Sequence, residues 1–198
     1  MGFIRYVALL AVALSLTACG VNDIPTYEEQ AKAAWSEVLN QYQRRSDLIP
    51  NLVETVKGYA AQERETLTAV TEARAKVAQM QLPANVVTDP NAFQQFQKNQ
   101  EALRGALSRL MVVVERYPDL KSNQNFLALQ AQLEGTENRI SVARRDYILA
   151  VQRYNTELRT FPGAFWAATL YRNAQPMQTF TIEPGAQVVP KVDFGTKK

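Results

Sequence analysis

The chain has 198 residues, 22 lysines and arginines against 19 aspartates and glutamates, one cysteine and no histidine, for a formal net charge of +3. That balance, with no basic run longer than two residues, excludes a nucleic-acid binder held by phosphate contacts. The missing histidine excludes Ser-His-Asp and Cys-His catalysis and histidine-built zinc sites, the single thiol excludes internal disulfides, and no metal or cofactor is expected, so packing must stabilise one domain.

At the start of the chain Arg5 supplies a positive n-region and Tyr6 to Leu14 an apolar h-region, and Ser15 to Ala18 shorten the side chains ahead of Cys19. Leu16-Thr17-Ala18-Cys19 therefore reads as a bacterial lipobox, with residues 1–18 a signal peptide, Cys19 the lipidation site and residues 19–25 a lipidated tether. The thiol would carry a thioether-linked diacylglycerol, and two or three acyl chains such as palmitate anchor durably where one is marginal. The apolar run is shorter than the roughly 20 residues of a stable span. Loss of Arg5 with the leader lowers the net charge from +3 to +2. An uncleaved anchor with a chance cysteine and an ordinary secretory cut near Ala18 are the competing readings. Gly20, directly after the cysteine, suits transport to an outer membrane in a cell that has one.

Thr26-Tyr27-Glu28-Glu29 has the pattern of a capping box and predicts a helix start, with Tyr27, Ala31, Ala34, Val38 and Tyr42 inward and Glu28 to Lys32 an exposed pair. Pro50 predicts a kink or short break near Leu48, after which Leu52, Val56, Tyr59, Leu67, Val70, Ala73, Val77 and Met80 continue one long bent arm. Residues 82–90 read as a loop, with Asp89 as N-cap and Pro90 at the first position of a helix whose face is Phe96, Leu103, Leu107, Leu110 and Val114. Tyr117-Pro118-Asp119 predicts a tight turn. Phe126, Leu129, Leu133, Thr136, Ile140, Ala143, Tyr147, Val151, Tyr154 and Leu158 then alternate in steps of three and four, a coiled-coil-like seam. From Ser122 to Thr160 such a helix would span about 58 Å. Short loops force antiparallel returns, so the expected fold is all-α, an elongated antiparallel up-and-down bundle over residues 26–171. Ala164 to Tyr171 predicts a short helix whose Phe165 and Trp166 either cap the open end of the bundle or sit in a membrane interface. Residues 172–198 read as an extended or disordered tail.

Several long strings resemble the LemA family: Asn40 through Ala60, Glu115-Arg116-Tyr117-Pro118, Leu133 through Ile140 and Pro190 through Phe194. The resemblance covers nearly all of the chain after Cys19. It implies an antiparallel helical bundle on the outer side of a bacterial membrane, held in many relatives by one N-terminal transmembrane helix. It brings no established reaction and no catalytic residues. The last long helix of the family usually repeats Arg-Tyr-Asn ahead of a second Tyr-Asn. Here Tyr154-Asn155 keeps the second, but Ile148 stands where the earlier asparagine is expected.

Candidate polar-site residues are Arg44, Arg45 and Asp47 beside Pro50, with Arg144, Arg145 and Asp146 on the last long helix. Proline frees a backbone carbonyl, and an arginine fork is suited to capping it or to holding carboxylate or phosphate; a structural ion-pair network between helices is the competing account. Glu134 and Glu137 are spaced as paired acids or as ordinary surface residues. Gly58, Gly105 and Gly135 inside helical runs are expected where helices approach closely. These features favour a non-catalytic, lipid-anchored protein of the bacterial cell envelope, facing the periplasm or exterior, that binds an unidentified protein through its helical surface. The alternative is a carboxylate-dependent enzyme acting on an envelope polymer or lipid, which needs two acids facing one cleft.

Overall fold

The computed structural model describes residues 20–181. The leader, Cys19 and the Pro190 to Phe194 string lie outside the described residues. Among the described residues six helices follow one another: α1 Asp23–Lys57, α2 Arg64–Ala78, α3 Pro90–Val114, α4 Pro118–Lys121, α5 Gln124–Glu157 and α6 Gly163–Thr169. No strand occurs among the described residues. The four long helices run up, down, up and down, the expected all-α bundle. At one end Ile24, Trp35, Val38 and Tyr42 of α1 pack with Val86, Val87, Phe93 and Phe96 and with Ile140 to Tyr154 of α5. At the other end Ile49, Leu52 and Val56 pack with Leu67 and Val70 of α2, with Leu103 to Val114 of α3, and with Leu120, Phe126 and Leu133. The helices α1 and α5 form the most extensive pairing and α2 with α3 the next, whereas α3 and α5 are not closely joined.

Helix α1 departs from the sequence expectation at both ends and in its middle. It begins at Asp23, and Thr26 donates its hydroxyl back to the Asn22 carbonyl at 2.7 Å, so no capping box forms. Ile24, wholly buried, draws the first turn into the core, and Pro25 in that turn needs no amide acceptor. Glu28 does pair with Lys32 at 2.8 Å, and Glu29 joins it at 2.9 Å. The break expected near Leu48 is absent: the helix runs through Pro50 to Lys57. Pro50 cannot donate to the carbonyl of Ser46, and Arg74 of α2 supplies the missing donor, its Nε–H reaching that oxygen at 3.0 Å. The chain instead reverses over residues 58–63, so the single bent arm is an antiparallel pair of helices. Tyr59 leaves the stripe for solvent and Ala60 takes the buried place.

Downstream elements follow the sequence closely. Asp89 caps α3 through the amides of Asn91 and Ala92, with Pro90 at the first position. The turn at Tyr117 tightens into α4, which buries Leu120. Asn123 caps α5, accepting from Phe126 N at 3.1 Å. Eight of the ten seam positions are buried, Leu129 and Leu158 being half-buried. The helical glycines do not mark close approaches: a Cβ on Gly105 or Gly135 would meet only the arginine four residues on, and Gly58 ends α1. Gly163 is the crowded one, because its Cβ would strike the Glu157 carbonyl and carboxylate.

The first part of the tail is held down rather than loose. Asn155 accepts from Met177 N and donates to Met177 O, both at 2.9 Å, and the Tyr147 hydroxyl donates to Gln178 O at 2.8 Å. Gln178 N reaches Val87 O at 2.7 Å, and Gln97 Nε2 donates to Thr181 O at 2.7 Å. Met177 and Phe180 are thereby buried. Trp35 is the centre of this end, its ring lying 5.0 Å from that of Phe96 and 5.2 Å from that of Tyr147.

Candidate functional site

Two apolar clusters are separated at mid-height by a polar layer. Arg45, Ser46, Gln100 and Thr136 are the buried polar residues of the described chain, and all sit there. Arg45 is 1% exposed. Its Nη1 pairs with Glu137 Oε1 at 2.9 Å, while Nη2 donates to Gln100 Oε1 at 2.6 Å and to Gln100 O at 3.2 Å. The guanidinium also lies 5.0 Å from the Tyr42 ring centroid. Only Nε is left without a partner. One arginine on α1 therefore holds α3 and α5 together. Burial raises the Tyr42 phenol above its ordinary pKa, with Arg144 and Arg45 opposing the shift.

The six candidate polar residues are not gathered into one cluster. Arg44 faces solvent, and Asp47, also exposed, accepts from Gln43 Nε2 at 2.7 Å. Arg144 stacks over Phe180 at 4.4 Å, securing the tail, and Arg145 pairs with its exposed neighbour Asp146 at 3.3 Å. Since α1 and α5 are antiparallel and Arg45 meets Glu137, residue 144 lies seven positions, about 10 Å, further along the rod. The carbonyl freed by Pro50 is capped, but from α2. Arg74 and Gln100 both stand at seam spacing, Arg74 between Val70 and Val77 and Gln100 between Phe96 and Leu103; their inward position is signalled by that period, which a count of apolar residues alone passes over.

Between α3 and α5 lies an open groove of about 630 Å³, floored by Leu107, Met111 and Leu133 and edged by Arg104, Glu134 and Glu137. Arg104 is held by Glu101, with its Nη2 2.6 Å from Oε1, and this bond raises its pKa further. Glu134 accepts from Gln130 at 2.9 Å. Both glutamates face the groove, yet one is committed to Arg45. The described residues contain no cluster of potential metal ligands. None of their helices is long and apolar enough to cross a membrane.

The end nearest Gly20 carries two further buried polar atoms without partners, Glu157 Oε1 and Trp166 Nε1. Burial, with Asp23 nearby, raises the Glu157 pKa above the usual carboxylate value. Tyr154, in the same region, is pushed up to about 12 by burial.

A family model described as the LemA family matches residues 34–194. Protein LemA of Metamycoplasma hominis is 24% identical over 140 residues, covering 71% of this chain and 60% of the relative. Magnetosome protein MamQ 2 of Paramagnetospirillum magneticum is 28% identical over 177 residues, covering 79% of this chain and 64% of the relative. Magnetosome protein MamQ of Magnetospirillum gryphiswaldense is 26% identical, covering 74% and 60%. The chain thus spans less than two thirds of the length of these relatives.

Proposed function

This chain belongs to the LemA family, and on that premise we propose that it is a non-catalytic bacterial envelope protein, lipid-anchored through Cys19, that uses the α3–α5 groove to hold a helical segment of another envelope protein. The observation that carries the reading is the division of labour among charges. The mid-bundle polar groups spend their hydrogen bonds on one another, which fixes helix register, while the one sizeable groove described above has an apolar floor and a charged rim. Such a groove suits an amphipathic helix whose apolar face lies inward. Its carboxylates suit proton chemistry poorly, because Glu137 is already paired with a guanidinium and Glu134 with an amide. Relatives named for magnetosomes support an association with bacterial membranes.

Photocrosslinking groups at Ser108, Asn138 and Ser141, which line the groove, test the partner. A discrete heterologous adduct in intact cells is expected, and monomer alone at all three positions overturns the reading. Cys19→Ala tests the anchor: incorporation of labelled fatty acid should be lost, and unchanged incorporation refutes acylation at that thiol.

A further inference from the structure

Eight large apolar side chains are exposed among the described residues, and three of them fall within ten positions: Phe161 at 86%, Phe165 at 54% and Leu170 at 62%. They flank a firmly seated element. Trp166 packs on the bundle and meets the Phe165 ring at 5.0 Å, and Gly163 is buried against Glu157. Phe161 and Phe165 therefore point away from a fixed support rather than dangling from a loose one. Single exposed apolar residues are ordinary, but these three lie on and beside the one short helix that packs next to the start of α1.

The start of the described chain lies at the same place. A Cβ on Gly20 would come within 3.2 Å of the Pro162 ring. Gly20 takes φ +90°, open to glycine, and its carbonyl accepts from Asp23 N at 3.1 Å, closing a turn straight into α1. Residues 20–22 leave no slack. The described chain therefore enters α1 from beside Pro162. Exposed Arg159 and Arg172 bracket the apolar residues. The nearby acids are Asp23, Glu28, which shares a cavity with Leu170 and Arg172 but is paired with Lys32, and Glu157, whose Oε1 is buried.

We infer that Phe161, Phe165 and Leu170 insert into the interfacial layer of an anionic phospholipid bilayer, so that the bundle stands on its α6 end. The inference rests on the lipid-anchor reading and extends it: acyl chains supply attachment, and the aromatic patch supplies orientation. Interfacial aromatics with flanking arginines match the headgroup boundary, apolar on one side and anionic on the other.

The native tryptophans provide the test. Full-length protein is reconstituted into phosphatidylethanolamine–phosphatidylglycerol vesicles with acyl chains brominated just below the headgroups. Trp166 should be quenched, and Trp166→Phe should abolish that loss. Trp35 is buried twelve residues up α1 from Asp23, about 18 Å along the helix, and should be spared. Phe161→Ser/Phe165→Ser/Leu170→Ser should still float with the vesicles and keep its circular dichroism but lose the quenching. Phe161→Ser alone, at a side chain almost free of the fold, should reduce it. Wild-type protein that floats without quenching of Trp166, or variants that retain full quenching, overturns the patch while leaving the anchor intact. Protein that does not float at all overturns both.

Discussion

The ion pair of Arg45 and Glu137 is unequal. Arg45 is enclosed, whereas the Glu137 side chain remains 38% exposed and would be rehydrated if left alone. Glu137→Ala strands a buried guanidinium with only the Gln100 acceptors and should cost about 3–5 kcal/mol. Arg45→Met replaces the buried charge with apolar volume and leaves chiefly Gln100 unsatisfied, a loss of about 1–3 kcal/mol. Urea midpoints of the two variants measure the difference; equal losses would contradict the asymmetry. Glu157 responds to pH in a definite sense. Its pKa is raised by folding, so the folded state binds this proton more tightly, and stability declines as pH climbs through the carboxylate range. Glu157→Gln should therefore raise Tm at pH 7, with the gain shrinking to nothing below about pH 4. A gain independent of pH would assign the effect to packing.

At the level of helices, the decisive device is the Arg74 cap on the Ser46 carbonyl. Arg74→Ala leaves that oxygen unpaired and should cost about 1–3 kcal/mol. Pro50→Ala restores an amide at the right position, so the loss on Arg74→Ala should largely vanish in a Pro50→Ala background. Additive losses across this cycle, read from denaturant unfolding, would show that the bond contributes little. The same device explains what the sequence hid. Local rules make proline a breaker, and the donor that neutralises its defect lies 28 residues from the carbonyl it caps. The true reversal at Gly58 to Glu63 carries alanine, glutamine and glutamate, all good helix formers, so composition alone gives it little punctuation. By contrast α5 was legible almost residue by residue. Its seam steps by three and four without an internal proline, and the apolar period outweighs every weaker cue. Periodicity puts Tyr147 on the seam and the family resemblance marks Asn155, but neither signal shows that their polar atoms reach across to the tail.

For the molecule as a whole, α1, α3 and α5 run the length of the bundle and contribute to both apolar clusters. Ile140→Asp buries an unpaired carboxylate in one of them, and cooperative thermal unfolding near the wild-type Tm should be lost; retention within a few degrees would reject the packing described. The architecture was readable from periodicity and loop length, but the groove was not. It arises because α3 and α5 stand apart, a spacing set by the side chains of all four long helices rather than by a motif in either. Pairing of α1 with α5 also has a temporal side. Arg45 and Glu137 are separated by 92 residues, which a ribosome adding about 5–20 residues per second takes roughly 5–20 s to bridge. Throughout that interval the side of α1 that meets α5 lacks its mate while α2 and α3 can already cover the rest, so a nascent chain gains from a chaperone or an export channel that keeps that side from aggregating.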